Sequence, residues 1–137
     1  MDLVVGVGNE LRSDDGVGAR IVRALPAQPG VETAVVHQLT FDLTDAVGRA
    51  RRVLFVDAHA EETHLRLSRV SPHGAVQGIG HALAPEALLA WTSAACGRAP
   101  DAWVLSVPAQ SFDIGEELSP DVVRNLPAAA PAVLDWL

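Results

Sequence analysis

Met1-Asp-Leu-Val-Val-Gly-Val-Gly-Asn-Glu-Leu-Arg-Ser-Asp-Asp-Gly-Val-Gly18 is the stretch whose reading decides the fold. Leu3–Val7 holds four apolar residues and a glycine, the composition of a central strand buried on both faces. The run stops at Gly8-Asn9. A polar loop follows, and two carboxylates, Asp14 and Asp15, stand where a helix should begin. A strand–loop–helix of this kind usually cradles a phosphate. Here the loop carries negative charge and no base beyond Arg12, so it suits a cation better than a phosphate.

Outward from that unit, Val17, Ile21, Val22 and Leu25 have helical spacing, and Pro26 with Pro29-Gly30 ends the helix. Glu32–Leu39 reads as a second strand, Asp42–Ala50 as a short helix, and Val53–Val56 as a third strand ending at Asp57. His64–Val70 alternates as a half-exposed edge strand does, and its short connection to Asp57 suggests that it runs antiparallel. Pro72–Gly80 is a glycine-rich loop. Ala84–Ala95 is a helix with Pro85 in its first turn and Gly97 after its end. Ala102–Val107 is a further buried strand. Ser119-Pro120-Asp121 starts the last helix, with Ser119 as N-cap. Leu126, Ala130, Val133 and Leu137 are expected on its inner face, with Pro127 and Pro131 making it irregular. Alternating strands and helices imply a three-layer α/β sandwich around a mostly parallel sheet.

The chain has 137 residues, the usual size of one domain, and residues 1–137 are read as a single one. The single Cys96 cannot form an internal bridge, which fits a reducing compartment. No basic segment precedes an apolar stretch at the N-terminus, and no apolar run nears the ~20 residues of a membrane span, so a cytoplasmic location is expected. The formal net charge is −7 and all ten basic residues are arginines. A polyanion needs a concentrated positive surface, so nucleic acid and anionic membrane are excluded as partners. A monomer is expected.

In open α/β sheets, ligands bind beyond the carboxyl ends of the strands. The residues there are Asn9, Glu10, Asp14 and Asp15 after strand one, and His37 and Gln38 after strand two. Asp57 and His59 follow strand three, His81 precedes the third helix, and Ser106, Pro108 and Gln110 close strand five. The arginines mostly fall elsewhere: Arg20 and Arg23 on a helix, Arg51 and Arg52 before strand three, Arg66 and Arg69 on the edge strand. Carboxylates and neutral imidazoles suit borderline divalent metals such as zinc or nickel. Asp14 or Asp15 also suits a plain helix cap. Dinucleotide binding fits poorly: Gly6-x-Gly8 lacks a third glycine, Leu11 holding that place, and His37-Gln38 stands where an acid would hold the ribose. No Gly-x-Ser-x-Gly elbow and no His-Glu-x-x-His is present, so neither an α/β-hydrolase nor an ordinary zinc protease is expected.

Val5–Gly18 resembles the N-terminal signature of the hydrogenase maturation endopeptidases, which process the large subunit of nickel–iron hydrogenases. Three further blocks agree in order. Val53-Leu-Phe-Val-Asp-Ala58 is similar to the family's second acidic block, and His81-Ala-Leu-x-Pro-Glu-Ala-Leu-Leu89 to its histidine block. Val107-Pro108, Phe112-Asp-Ile-Gly115 and Leu118-Ser-Pro120 resemble its C-terminal block. The likeness implies an α/β sandwich with a five-stranded twisted sheet. It also implies metal contact through Asp15, Asp57 and His81. His37-Gln-Leu-Thr40 departs from the family's usual loop after strand two, and His59 puts an extra imidazole near Asp57.

The activity so implied is removal of the C-terminal extension of a nickel-loaded [NiFe]-hydrogenase large-subunit precursor. Nickel is carried by the substrate and serves as the recognition element; no tightly bound cofactor is expected. Hydrolysis is read as metal-assisted attack of water, with Asp15 or Asp57 as base. A non-catalytic metal-binding chaperone on the same scaffold is the second function class.

Overall fold

The computed structural model describes residues 1–60, 62–73, 83–110, 115 and 117–137, with the side chains of residues 121 and 125 left aside. Strands β1 (Asp2–Val7), β2 (Val31–Val36), β3 (Arg52–His59), β4 (Arg66–Val70) and β5 (Asp101–Pro108) form one sheet in the order β2-β1-β3-β5-β4. Neighbouring strands run parallel except β4, which pairs antiparallel with β5. Helices α1 (Val17–Arg23) and α4 (Pro120–Trp136) cover one face, and α2 (Thr44–Arg49) and α3 (Pro85–Cys96) the other.

Alternation along the strands sorts side chains between the two layers. Leu3, Val5, Val53, Phe55 and Val104 pack with Val47, Leu88 and Leu89 on the α2–α3 side. Val4, Leu54, Val56, Leu105 and Val107 pack with Val17, Ile21, Val22, Val122 and Val133 on the other. Every residue of β1 is buried, as its unbroken apolar run predicts.

Three features differ from the sequence reading by more than a shift of one or two residues at an element's end. Strand β2 ends at Val36, and Leu39 instead tucks into the core while its carbonyl accepts from the Leu83 N–H at 3.0 Å. Strand β3 continues past Val56 to His59, because β5 offers a parallel partner to Pro108. Helix α4 runs unbroken through Pro127 and Pro131. Both prolines are exposed, and the carbonyls they leave without a helical donor belong to exposed Val123 and Pro127, where water can serve. The buried face of α4 is Val122, Ala129, Val133 and Trp136, one position off the expected Ala130 and Leu137, which are only partly covered.

The two ends of the sheet differ in charge. At the amino ends of β1 and β3, buried Asp2 is gripped by Arg52 at 2.6 Å and Arg51 at 3.2 Å. Arg52 also donates to the Trp136 carbonyl at 3.0 Å and lies 4.3 Å over its ring, tying the end of α4 to the sheet. These hydrogen bonds from Arg52 first, then Arg51, hold the Asp2 carboxyl below the usual carboxylate range despite its burial. Two of the cations are thereby committed far from the carboxyl ends of the strands. Among the described residues, no helix is long and apolar enough to cross a membrane.

Candidate active site

Strand order reverses direction between β1 and β3, so the crevice beyond their carboxyl ends is where an α/β sheet binds ligands. The chain leaves β1 through Gly8, whose φ of 134° lies in the region open to glycine, and a Cβ there would collide with the Asp15 carbonyl oxygen. Ser13–Gly16 forms a short 3-10 helix, and α1 begins only at Val17. At Gly18, a Cβ would overlap the Val56 carbonyl oxygen, so α1 starts at backbone contact with β3. These two glycines bring the acid loop down against the tip of β3.

Asp15 and Asp57 line one cavity of about 180 Å³ together with Gly8, His37, Gln38 and Leu39. Asp15 is half-buried and accepts the Asn9 N–H at 2.7 Å, while the Asn9 side chain accepts the Leu11 N–H at 2.9 Å and shapes the turn. Asp57 accepts the Ala58 N–H at 2.8 Å. Burial pushes the Asp57 carboxyl up to about 6, and the charge of Asp15 adds to the rise; His59 and the Ala58 N–H oppose it. A half-buried acid beside a second carboxylate is a place where a cation relieves both desolvation and repulsion.

Asp57 also lines a larger neighbouring cavity of about 420 Å³, with Phe55, His59, Ser106 and Arg66 among its walls. Asp57 is in register with Ser106 across β3–β5, and Ser106 with Arg66 across β5–β4. Arg66 therefore stands level with Asp57 two strands away. The arginines are not all remote from the site, a departure from the sequence reading; the antiparallel register of β4 brings this one back.

The other candidates divide. His37 and Gln38 are exposed on the loop after β2 and reach the smaller cavity. His59 is exposed at the end of β3 and reaches the larger one. Glu10 pairs with Arg23 at 2.9 Å on the outer surface and is lost to the site. Asp14 turns inward, fully buried, and accepts from the Gln110 N–H at 2.8 Å and the Ser119 N–H and Oγ at 2.6 Å each. Ser119 opens α4, as expected, but its hydroxyl makes no capping bond to the helix and goes to Asp14 instead. No local pattern announces that pairing, because its members are 105 residues apart. His81, the third expected metal ligand, lies outside the described residues. Among the described residues, no three His, Cys, Asp or Glu side chains come together as a metal site.

No family model matches the chain, and comparison with curated proteins gives no match. Solved structures do. The hydrogenase maturating endopeptidase HybD from E. coli superposes with a TM-score of 0.77 at 21% identity, covering 99% of this chain and 91% of that one. The [NiFe] hydrogenase maturation protease HycI from Thermococcus kodakarensis KOD1 gives 0.74 at 18% identity, covering 98% and 90%. The hydrogenase 2 maturation peptidase from Thaumarchaeota archaeon SCGC_AB-539-E09 gives 0.70 at 23% identity, covering 98% and 95%. The chain thus has, over nearly its full length, the fold of these maturation proteases.

Proposed function

We propose that this protein is a cytoplasmic endopeptidase that removes the C-terminal extension of a [NiFe]-hydrogenase large-subunit precursor after nickel has been loaded. The observation that carries the reading is the meeting of Asp15, from the 3-10 turn after β1, and Asp57, from β3, in one cavity at the switch point of this fold. The likeness to solved maturation proteases supports the same reading.

In this reading the precursor's nickel is substrate. Asp15 and Asp57 supply two carboxylate donors, and His81 a neutral imidazole. Two negative charges balance a divalent ion, and three ligands from separate segments leave positions for donors of the precursor. One of the two acids, once the ion is engaged, accepts a proton from the attacking water; the other keeps its charge on the ion.

Incubation with a nickel-loaded precursor tests this. The expected result is a shortened large subunit, with the released tail identified by mass spectrometry. Asp15→Ala, Asp57→Ala and His81→Ala each abolish cleavage, by at least about a thousandfold for loss of a metal-contacting or proton-accepting group, while circular dichroism stays that of the wild type. A precursor that binds yet keeps its tail overturns the protease reading in favour of a metal-binding chaperone.

A further inference from the structure

Asp14 and Asp15 are consecutive residues of one short 3-10 helix, in which side chains diverge by about 120° per residue. One therefore points into the protein when the other points to the cavity. Among the described residues, the carboxylate of the inward one accepts hydrogen bonds from one distant segment. Gln110 and Ser119 flank the stretch between β5 and α4, and both donate to the Asp14 carboxylate through backbone N–H groups, Ser119 also through its hydroxyl.

Backbone bonds join the same two segments around it. The Ser13 N–H donates to the Gly115 carbonyl at 2.7 Å, and the Gly115 N–H donates to the Leu11 carbonyl at 2.8 Å. Ser13 itself adopts φ of 48°, a left-handed conformation that costs about 1–2 kcal/mol for a residue with a side chain. Such a conformation persists only where the surroundings dictate it. A buried carboxylate is a costly way to fasten a loop, but it admits few alternative arrangements, because any shift leaves a charge without its donors.

We propose that Asp14 is a positioning residue: it latches the loop that carries Asp15 onto the segment between β5 and α4, and so sets the Asp15 carboxylate against Asp57. The proposal rests on the reading of Asp15 as an active-site acid. The amide of Asn9, which donates to Asp15 at 2.7 Å, reports the position of that carboxylate independently of any activity.

The test uses the full-length protein as Asp14→Asn, Ser119→Ala and Ser119→Thr. Asp14→Asn turns an amide NH₂ toward N–H donors, and Ser119→Ala removes one bond while leaving the backbone donor. Measured on nickel-loaded precursor, kcat falls about 100-fold in Asp14→Asn with KM nearly unchanged, the scale of a small misplacement of a reacting group. It falls about tenfold in Ser119→Ala, the scale of one hydrogen bond to a charged group. Ser119→Thr, which keeps the hydroxyl, recovers the wild-type kcat. The Asn9 amide resonance moves in the two damaged variants and returns in Ser119→Thr. If Asp14→Asn does not fold, the two Ser119 variants decide alone. An Asn9 amide that stays in place overturns the proposal, whether or not kcat falls. So does a fall in KM-dependent binding without loss of kcat. Movement of the Asn9 amide in a protein whose wild type cleaves no precursor upholds the latch and overturns the protease reading.

Discussion

Asp57, near the end of β3, and Asp15, in the 3-10 turn that follows β1, share one small cavity; burial is the main cause of the raised pKa of Asp57, and the charge of Asp15 adds to it. The pair is unfavourable in isolation. A folded-state pKa of about 6 against an ordinary 3.8 means that the folded protein binds the Asp57 proton more tightly than the unfolded chain. The resulting penalty is absent below the unfolded value, grows as pH rises from about 4 to about 6, and is complete above.

Asp57→Asn removes that penalty while keeping an oxygen for the Ala58 N–H. In the metal-free protein at pH 7.5, the variant is expected to be more stable by on the order of 2–3 kcal/mol, from about 1.36 kcal/mol per pKa unit. Urea unfolding measures it, and the advantage should vanish near pH 4. Equal stability at pH 7.5 would mean that Asp57 is well solvated.

Processing should show the opposite pH trend. If nickel is held as proposed, its contact requires ionised Asp57 and neutral His81, so protons compete with the metal. The rate of tail removal is expected to level off above pH 7 and to fall as pH drops through about 6. A rate unchanged down to pH 5 would detach Asp57 from the nickel.

Arg52→Ala separates stability from activity. It leaves buried Asp2 with only the exposed Arg51 and frees the end of α4 from the sheet. Because Arg51 keeps its pairing, loss of the Arg52 hydrogen bonds is expected to cost about 1.5–3 kcal/mol, read as a lower urea midpoint. Because Asp2 has a depressed pKa, the contribution it makes exists above about pH 3.8 and disappears as pH falls through its folded value. The kcat of processing should not change, since the pair sits at the opposite end of the strands.

Gly18→Ala drives a methyl group into the Val56 carbonyl. Backbone cannot yield there without parting α1 from β3. Destabilisation of about 3 kcal/mol or more is expected, at the upper end for overpacking, with loss of processing in whatever folded fraction remains. Differential scanning calorimetry gives the first and single-turnover cleavage the second.

Much of this molecule was legible in one dimension. Continuous apolar runs at Leu3–Val7 and Val53–Val56 are buried central strands because both faces of a parallel sheet are covered. Alternation at His64–Val70 marks an edge, and β4 is one, antiparallel as its short connection suggested. The carboxylates Asp14, Asp15 and Asp57 were nameable from their places after such strands, and the family resemblance singled out Asp15 and Asp57. Periodicity and local breakers report on neighbours within about one turn or one strand, and these features need nothing more.

What only the tertiary structure decided is why Asp15, and not its neighbour Asp14, faces the cavity. Asp14 and Asp15 are chemically identical, and their difference arises from Gln110 and Ser119, donors about a hundred residues away along the chain. The same holds for Arg66, returned to the level of Asp57 by strand register, and for α4, kept whole through two prolines because their unpaired carbonyls face water. The sequence by itself determined the strands, the layers and the acids. Long-range hydrogen bonding and register determined how those acids are aimed, because such partners meet only once the sheet has formed.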